Sequence, residues 1–97
     1  MLSLVKELCL LNGVSSGEDE VRAFIREKAA PYAEAMRTDA LGNLIVFKKG
    51  AKATGNKLML TAHMDEVGFI VNDITEDGYL KFAPVGGIDP RVVIGKR

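Results

Sequence analysis

The chain has 97 residues, with 13 basic and 13 acidic side chains cancelling to zero net charge and 47% apolar residues. That length fits one small domain or part of a larger one, with room for only a modest core. The composition argues against disorder, and the balanced charge excludes the basic footprint of a nucleic-acid binder.

The only local cationic cluster, Lys48, Lys49, Lys52 and Lys57, lies in a glycine-rich stretch and has no interleaved aromatic. It reads as a solvated loop. Cys9 is the single cysteine, so no internal disulfide can form and a reducing, cytoplasmic setting is expected. Its place in an apolar helical stretch predicts a buried, inert thiol. No apolar run approaches the roughly 20 residues that span a bilayer, and the first residues lack the basic start and cleavage site of a signal peptide.

Ser3 is placed to cap a first helix, with Leu4, Val5, Leu8 and Leu11 recurring on one face until Asn12-Gly13 stops it. A second helix is expected from near Ser16, with Glu18, Asp19 and Glu20 at its positive end. Val21, Phe24, Ile25 and Ala29 form its inner stripe, and Pro31 ends it. Residues 33–38 then read as a short strand, Asp39 to Asn43 as a tight turn, and Leu44 to Phe47 as a second strand. Residues 49–56 read as loop. Lys57 to Ala62 is expected to be a strand covered on both faces, because its apolar run does not alternate. Val67 to Ile74 and Tyr79 to Ala83 form a hairpin turning at Glu76-Asp77-Gly78. Pro84 and Gly86-Gly87 break its second strand, and Val92 to Ile94 begins a further one. The change from helix-rich to hairpin-rich sequence places a domain boundary near residue 67.

His63, the only histidine, follows the expected buried strand, and Asp65 stands two positions on. In extended backbone, residues i and i+2 point the same way, so the pair can meet at the carboxyl end of a strand, where open α/β sheets bind ligands. A metal-binding imidazole gives one ring nitrogen to the ion and its other N–H to a carboxylate or carbonyl. His63 is therefore a candidate ligand, and Asp65 its orienter or a backup ligand. A hydrogen-bonded structural histidine is the plainer alternative, since zinc sites need three or four protein ligands. Glu66 could be a general base or a surface charge. Gly86-Gly87 with Asp89, Arg91 and Gly95 reads as a turn, with Asp89 and Arg91 paired across it, because no helix follows to cradle a phosphate.

Several segments together resemble one family. Leu60-Thr61-Ala62-His63-Met64-Asp65-Glu66-Val67-Gly68-Phe69 is similar to the first metal-site motif of the M42 metallopeptidases, the glutamyl-aminopeptidase and tetrahedral aminopeptidase group. Ser16 to Arg22, Asp39 to Leu44, and Gly86 to Arg91 with Gly95 and Arg97 match other family segments in order. The resemblance implies an α/β fold: the N-terminal part of a mixed α/β-sandwich metallopeptidase domain over 1–67. The start of an inserted β-barrel-like dimerisation domain, incomplete, would follow over 68–97. It further implies removal of N-terminal residues from peptides with two divalent ions, zinc or cobalt, and self-association from dimers to twelve-subunit shells. His63 would be the first histidine ligand and Asp65 the aspartate that orients it. The bridging aspartate, the catalytic glutamate and the other ligands have no match here, so a fragment of a longer enzyme is expected. A non-catalytic truncated module is the alternative. A glycan hydrolase, a label some members carry, is disfavoured because glycosidases need two facing carboxylates and the chain has no Trp.

Overall fold

The computed structural model describes residues 1–52 and 55–95. Two helices come first, α1 at Leu2–Leu8 and α2 at Asp19–Ala29. Ser3 lies inside α1, and Met1 stands at its cap position with no side-chain capping bond. The regular helix also stops short of Leu11: the amides of Cys9, Leu10 and Leu11 close it with turn-like bonds to Val5, Glu7 and Leu8. Helix α2 starts three residues later than Ser16, which adopts a left-handed conformation (φ 75°) and donates its N–H to Glu18 Oε1 at 2.8 Å. Glu18 takes the cap position, while Asp19 and Glu20 face the positive end of the helix dipole and Arg26 and Lys28 the negative end. Pro31 turns the chain into a short 3-10 segment, Ala30–Tyr32, as its missing N–H requires. The connector is pinned back to α2: the Asn12 backbone and side-chain amides donate to the Glu20 carboxylate at 3.1–3.4 Å. Val21, 7% exposed, is the one buried apolar side chain among the described residues.

Strands β1 (Ala35–Thr38) and β2 (Leu44–Phe47) form an antiparallel hairpin in which Arg37 pairs with Ile45. Its turn is organised by Asp39, whose carboxylate accepts from the amides of Leu41 and Asn43 and from Asn43 Nδ2 at 2.9–3.0 Å. Gly42 sits at φ 85°, which costs a residue with a Cβ about 1–2 kcal/mol. Arg22 ties this turn to α2: its Nε donates to the Gly42 carbonyl at 2.7 Å, while its terminal nitrogen pairs with Asp19.

Strands β3 (Gly68–Ile74) and β4 (Leu80–Val85) form a second, separate antiparallel hairpin, with Gly78 in the left-handed region at its turn. The diagonal pair Phe69 and Phe82 meets edge to face at 4.8 Å, and Lys81 binds the opposed Asp73 at 2.8 Å. Pro84 does not break β4; it pairs opposite Phe69. In a two-stranded sheet every strand is an edge, where a missing N–H is tolerated.

Two expected strands are absent. Among the described residues, 57–62 have no ladder partner, and Leu58, Met59 and Leu60 are 83–86% exposed. Apolar sequence becomes a covered strand only when neighbouring strands and layers supply hydrogen bonds and contacts, and none does so here. Val92 to Ile94 is also not a strand. Asp89 accepts the Arg91 amide and closes a 3-10 turn over Pro90–Val92, a local bond that outweighs β-propensity where no strand is available to pair. Of the loop over 49–56, residues 53 and 54 lie outside the described residues, as does Arg97.

Much apolar surface therefore remains open. The radius of gyration is 18.3 Å, against about 13 Å for a compact chain of this length. The accessible surface is 8787 Å², against roughly 5,400 Å² for a folded monomer of this mass. The α1–α2 pair with the β1–β2 hairpin is thus a packing surface awaiting a second layer rather than a closed core.

Candidate metal centre

His63 and Asp65 are brought together. Nδ1 of His63 lies 3.1 Å from Asp65 Oδ1 and 3.0 Å from the Asp65 main-chain oxygen. Both neighbours are acceptors, so Nδ1 must carry a proton to satisfy either of them. In the neutral ring that leaves Nε2 with its lone pair, and among the described residues Nε2 has no partner. Protonated Nδ1 on an oxygen acceptor with a bare Nε2 is the tautomer needed for a histidine to bind a metal through Nε2. His63 is 85% exposed by side chain and Asp65 43%, so the donor set faces outward.

The main chain beside this pair is anchored by the connector between α1 and α2. The Glu66 amide donates to the Gly13 carbonyl at 2.7 Å, and Val14 and Glu66 form an isolated parallel bridge. Two open apolar cavities flank His63. One, of about 220 Å³, lies against Leu8, Leu11, Val21 and Ile25; the other, of about 200 Å³, lies against Ile25, Asn43, Leu44 and Val46. Helix α2 contributes to both, which makes it the common floor of the site.

His63 suits one ligand position for a divalent ion. Among the described residues no group of three or more His, Cys, Asp or Glu side chains is placed to hold such an ion, so further ligands would have to come from elsewhere. Glu66 is exposed at the rim of the first cavity, and its defined contact is through its main chain. Cys9, expected to be buried, is exposed: it follows the last turn of α1, where no second layer covers it.

The remaining candidates have local roles. Asp89 and Arg91 form a forked ion pair at 2.6–3.0 Å. The Arg91 side chain and amide hold the Asp89 carboxyl below its usual range, and Asp89 in turn raises Arg91. The Asp39 carboxyl is likewise held low, first by the Asn43 side chain and then by the Asn43 amide. Lys48 reaches over the Tyr32 ring at 5.5 Å, and the Lys49 amide donates to Glu34, which keeps the cationic cluster a surface feature. Sequence reasoning missed Arg22 and treated Gly13 only as a helix stop. Their signal was residue type, a long forked donor at the start of a helix and a glycine before a β-branched residue, but no spacing rule says what either one touches.

Comparison with known proteins places the chain in a family. A lysyl aminopeptidase of Pyrococcus furiosus is 36% identical over 95 residues, covering 97% of this chain and 27% of the relative. The crystal structure of an endoglucanase from Thermotoga maritima superposes with a TM-score of 0.85 at 49% identity, covering 94% of this chain and 29% of that one. A TET aminopeptidase from a marine-sediment Thaumarchaeota archaeon superposes with a TM-score of 0.83 at 37% identity, over 94% of this chain and 25% of that one. The chain thus spans a little over a quarter of the length of the curated relative. No helix among the described residues is long and apolar enough to cross a membrane. The family model for M42 glutamyl aminopeptidases matches residues 42–97, more than half of the sequence and including the His63–Asp65 motif, so the chain belongs to the M42 glutamyl aminopeptidase family.

Proposed function

We propose that this chain supplies the first metal ligand of a metal-dependent aminopeptidase that releases N-terminal residues from peptides. The observation that carries the reading is the Nδ1 contact of His63 with Asp65 at 3.1 Å, within the segment that the family model matches. His63 would hold an ion through Nε2. Asp65 would act on the imidazole alone, fixing its tautomer and its rotation. Two divalent ions, zinc or cobalt, would supply Lewis-acid chemistry for amide hydrolysis. The other ligands and the general base would come from the part of an aminopeptidase that this chain does not span, given its 27% coverage of the curated relative.

The same reading assigns 1–67 to the catalytic α/β unit and 68–97 to the first strands of an inserted β-rich dimerisation domain. The separation of the two hairpins into unconnected sheets supports that division. Self-association is supported by the apolar side chains left open on β3 and β4, Ile70, Ile74 and Leu80 among them. A cytoplasmic setting fits the lone free cysteine.

The test is an assay of the complete gene product on peptide amides and on cellulose, with zinc or cobalt added. The expected result is metal-dependent release of N-terminal residues, abolished by His63→Ala. Full peptidase activity in that variant would remove His63 from the mechanism. Cleavage of cellulose without cleavage of peptides would favour the glycan-hydrolase reading that the name of the Thermotoga structure suggests.

A further inference from the structure

We infer that Gly13 is a positioning residue for the His63–Asp65 pair, an inference that rests on the ligand role proposed for His63. The imidazole has little of its own to hold it in place, since it is largely exposed and its hydrogen bonds go to Asp65. What places the pair is the main chain three residues on, where the Glu66 N–H reaches the Gly13 carbonyl at 2.7 Å.

Gly13 is buried, and its backbone is not in the left-handed region, so the demand for glycine here concerns space. A Cβ on Gly13 would stand 2.8 Å from Val21 Cγ2 and 3.4 Å from the Met64 carbonyl. Val21 cannot swing away. It is β-branched, stiff at χ1 in a helix, and the one buried apolar side chain among the described residues. An added methyl must therefore push the connector off α2 or push residues 64–66 off the connector. The far side of the joint is also tight: a Cβ on Gly68 would overlap Val14 Cγ2. Because Asn12 is tied to Glu20 on α2, the connector is fixed on the helix side. The displacement falls on the segment that carries His63 and Asp65.

The experiment compares Gly13→Ala, Val21→Ala and the double variant in the full 97-residue chain. It follows amide exchange at Glu66 and the ring-nitrogen resonances of His63, with the amides of Phe24 and Ile25 reporting on α2. Gly13→Ala is expected to raise Glu66 exchange about tenfold or more and to move the His63 resonances while α2 stays protected. Removing Cγ2 makes room, so the double variant is expected to return Glu66 exchange to within about threefold of Val21→Ala. Unchanged Glu66 exchange in Gly13→Ala, or a double variant as impaired as Gly13→Ala, overturns the inference. If Gly13→Ala also loses protection in α2, Gly68→Ala against Gly68→Ala/Val14→Ala decides from the other side of the joint, and no effect of Gly68→Ala on Glu66 overturns it. Zinc titration of the complete gene product is read separately: His63 resonances that ignore zinc there reject the ligand role and leave the measurement of the joint intact.

Discussion

Replacing Asp65 by Ala tests the proposed role of this carboxylate in preparing the His63 imidazole for a metal. The structure gives Nδ1 two acceptors, the carboxylate at 3.1 Å and the Asp65 main-chain oxygen at 3.0 Å. The substitution removes the charged acceptor and leaves the main-chain one. Loss of an outer partner of a metal-binding histidine costs about 10- to 100-fold in metal affinity. Retention of the second acceptor, together with solvent access to both side chains, places Asp65→Ala at the lower end, about tenfold. Asp65→Asn keeps a neutral acceptor and should stay within about threefold of wild type, because a neutral hydrogen bond is roughly half as strong as a charge-assisted one. Zinc affinity of the complete gene product, measured by calorimetric titration, gives the magnitude. Ring-nitrogen shifts of His63 give the tautomer, with the proton on Nδ1 in wild type and redistributed towards Nε2 in Asp65→Ala. Equal zinc affinity in wild type and Asp65→Ala, or a wild-type ring protonated at Nε2, would refute the reasoning.

Three other outcomes follow from the same structure. Gly42→Ala should destabilise the β1–β2 turn by about 1–2 kcal/mol or more, read from urea unfolding, through its φ of 85° and because a methyl there would crowd the Arg22 guanidinium that ties the turn to α2. Asp39 has a folded pKa below its unfolded value, so its stabilisation is present above about pH 4 and drains away as the pH falls through the folded value. Exchange at the Leu41 and Asn43 amides should therefore rise on acidification over that range, and Asp39→Asn should flatten the dependence. Leu58 and Leu60, both 86% exposed, can be replaced by Lys with a stability change within about 0.5 kcal/mol, while dye binding and self-association of the 97-residue chain fall; an unchanged association state would mean this run is not the adhesive surface.

Much of the local architecture was legible from residue types alone. Asp39, Gly42 and Asn43 specify their turn, because a carboxylate accepting two nearby amides and a glycine at positive φ act within five residues. Gly78 marks the second hairpin in the same way, at positive φ, with Thr75 accepting the Gly78 and Tyr79 amides. The contact between His63 and Asp65 follows from the two-residue repeat of extended chain. The chemistry of that pair was less legible, since one histidine and one aspartate do not by themselves define a metal site, and the ligand role proposed here rests on the resemblance of the surrounding segment.

The remainder depends on partners distant in sequence. Lys57 to Ala62 has the composition of an interior strand, yet pairing is a property of two chains in register, and apolar residues alone do not supply the second. The role of Ser16 was decided by Glu18, whose carboxylate takes the Ser16 amide and moves the helix start. Gly13 reads along the chain as a helix stop; only the fold shows that its missing side chain leaves room for Val21 and Met64. Local hydrogen bonds, turns and periodicity are therefore determined by the sequence itself, because the interacting groups lie a few residues apart. Tertiary structure alone decided how the His63 segment seats on the helices, because steric fit between Gly13, Val21 and residues 64–66 depends on backbone positions that no short-range pattern encodes.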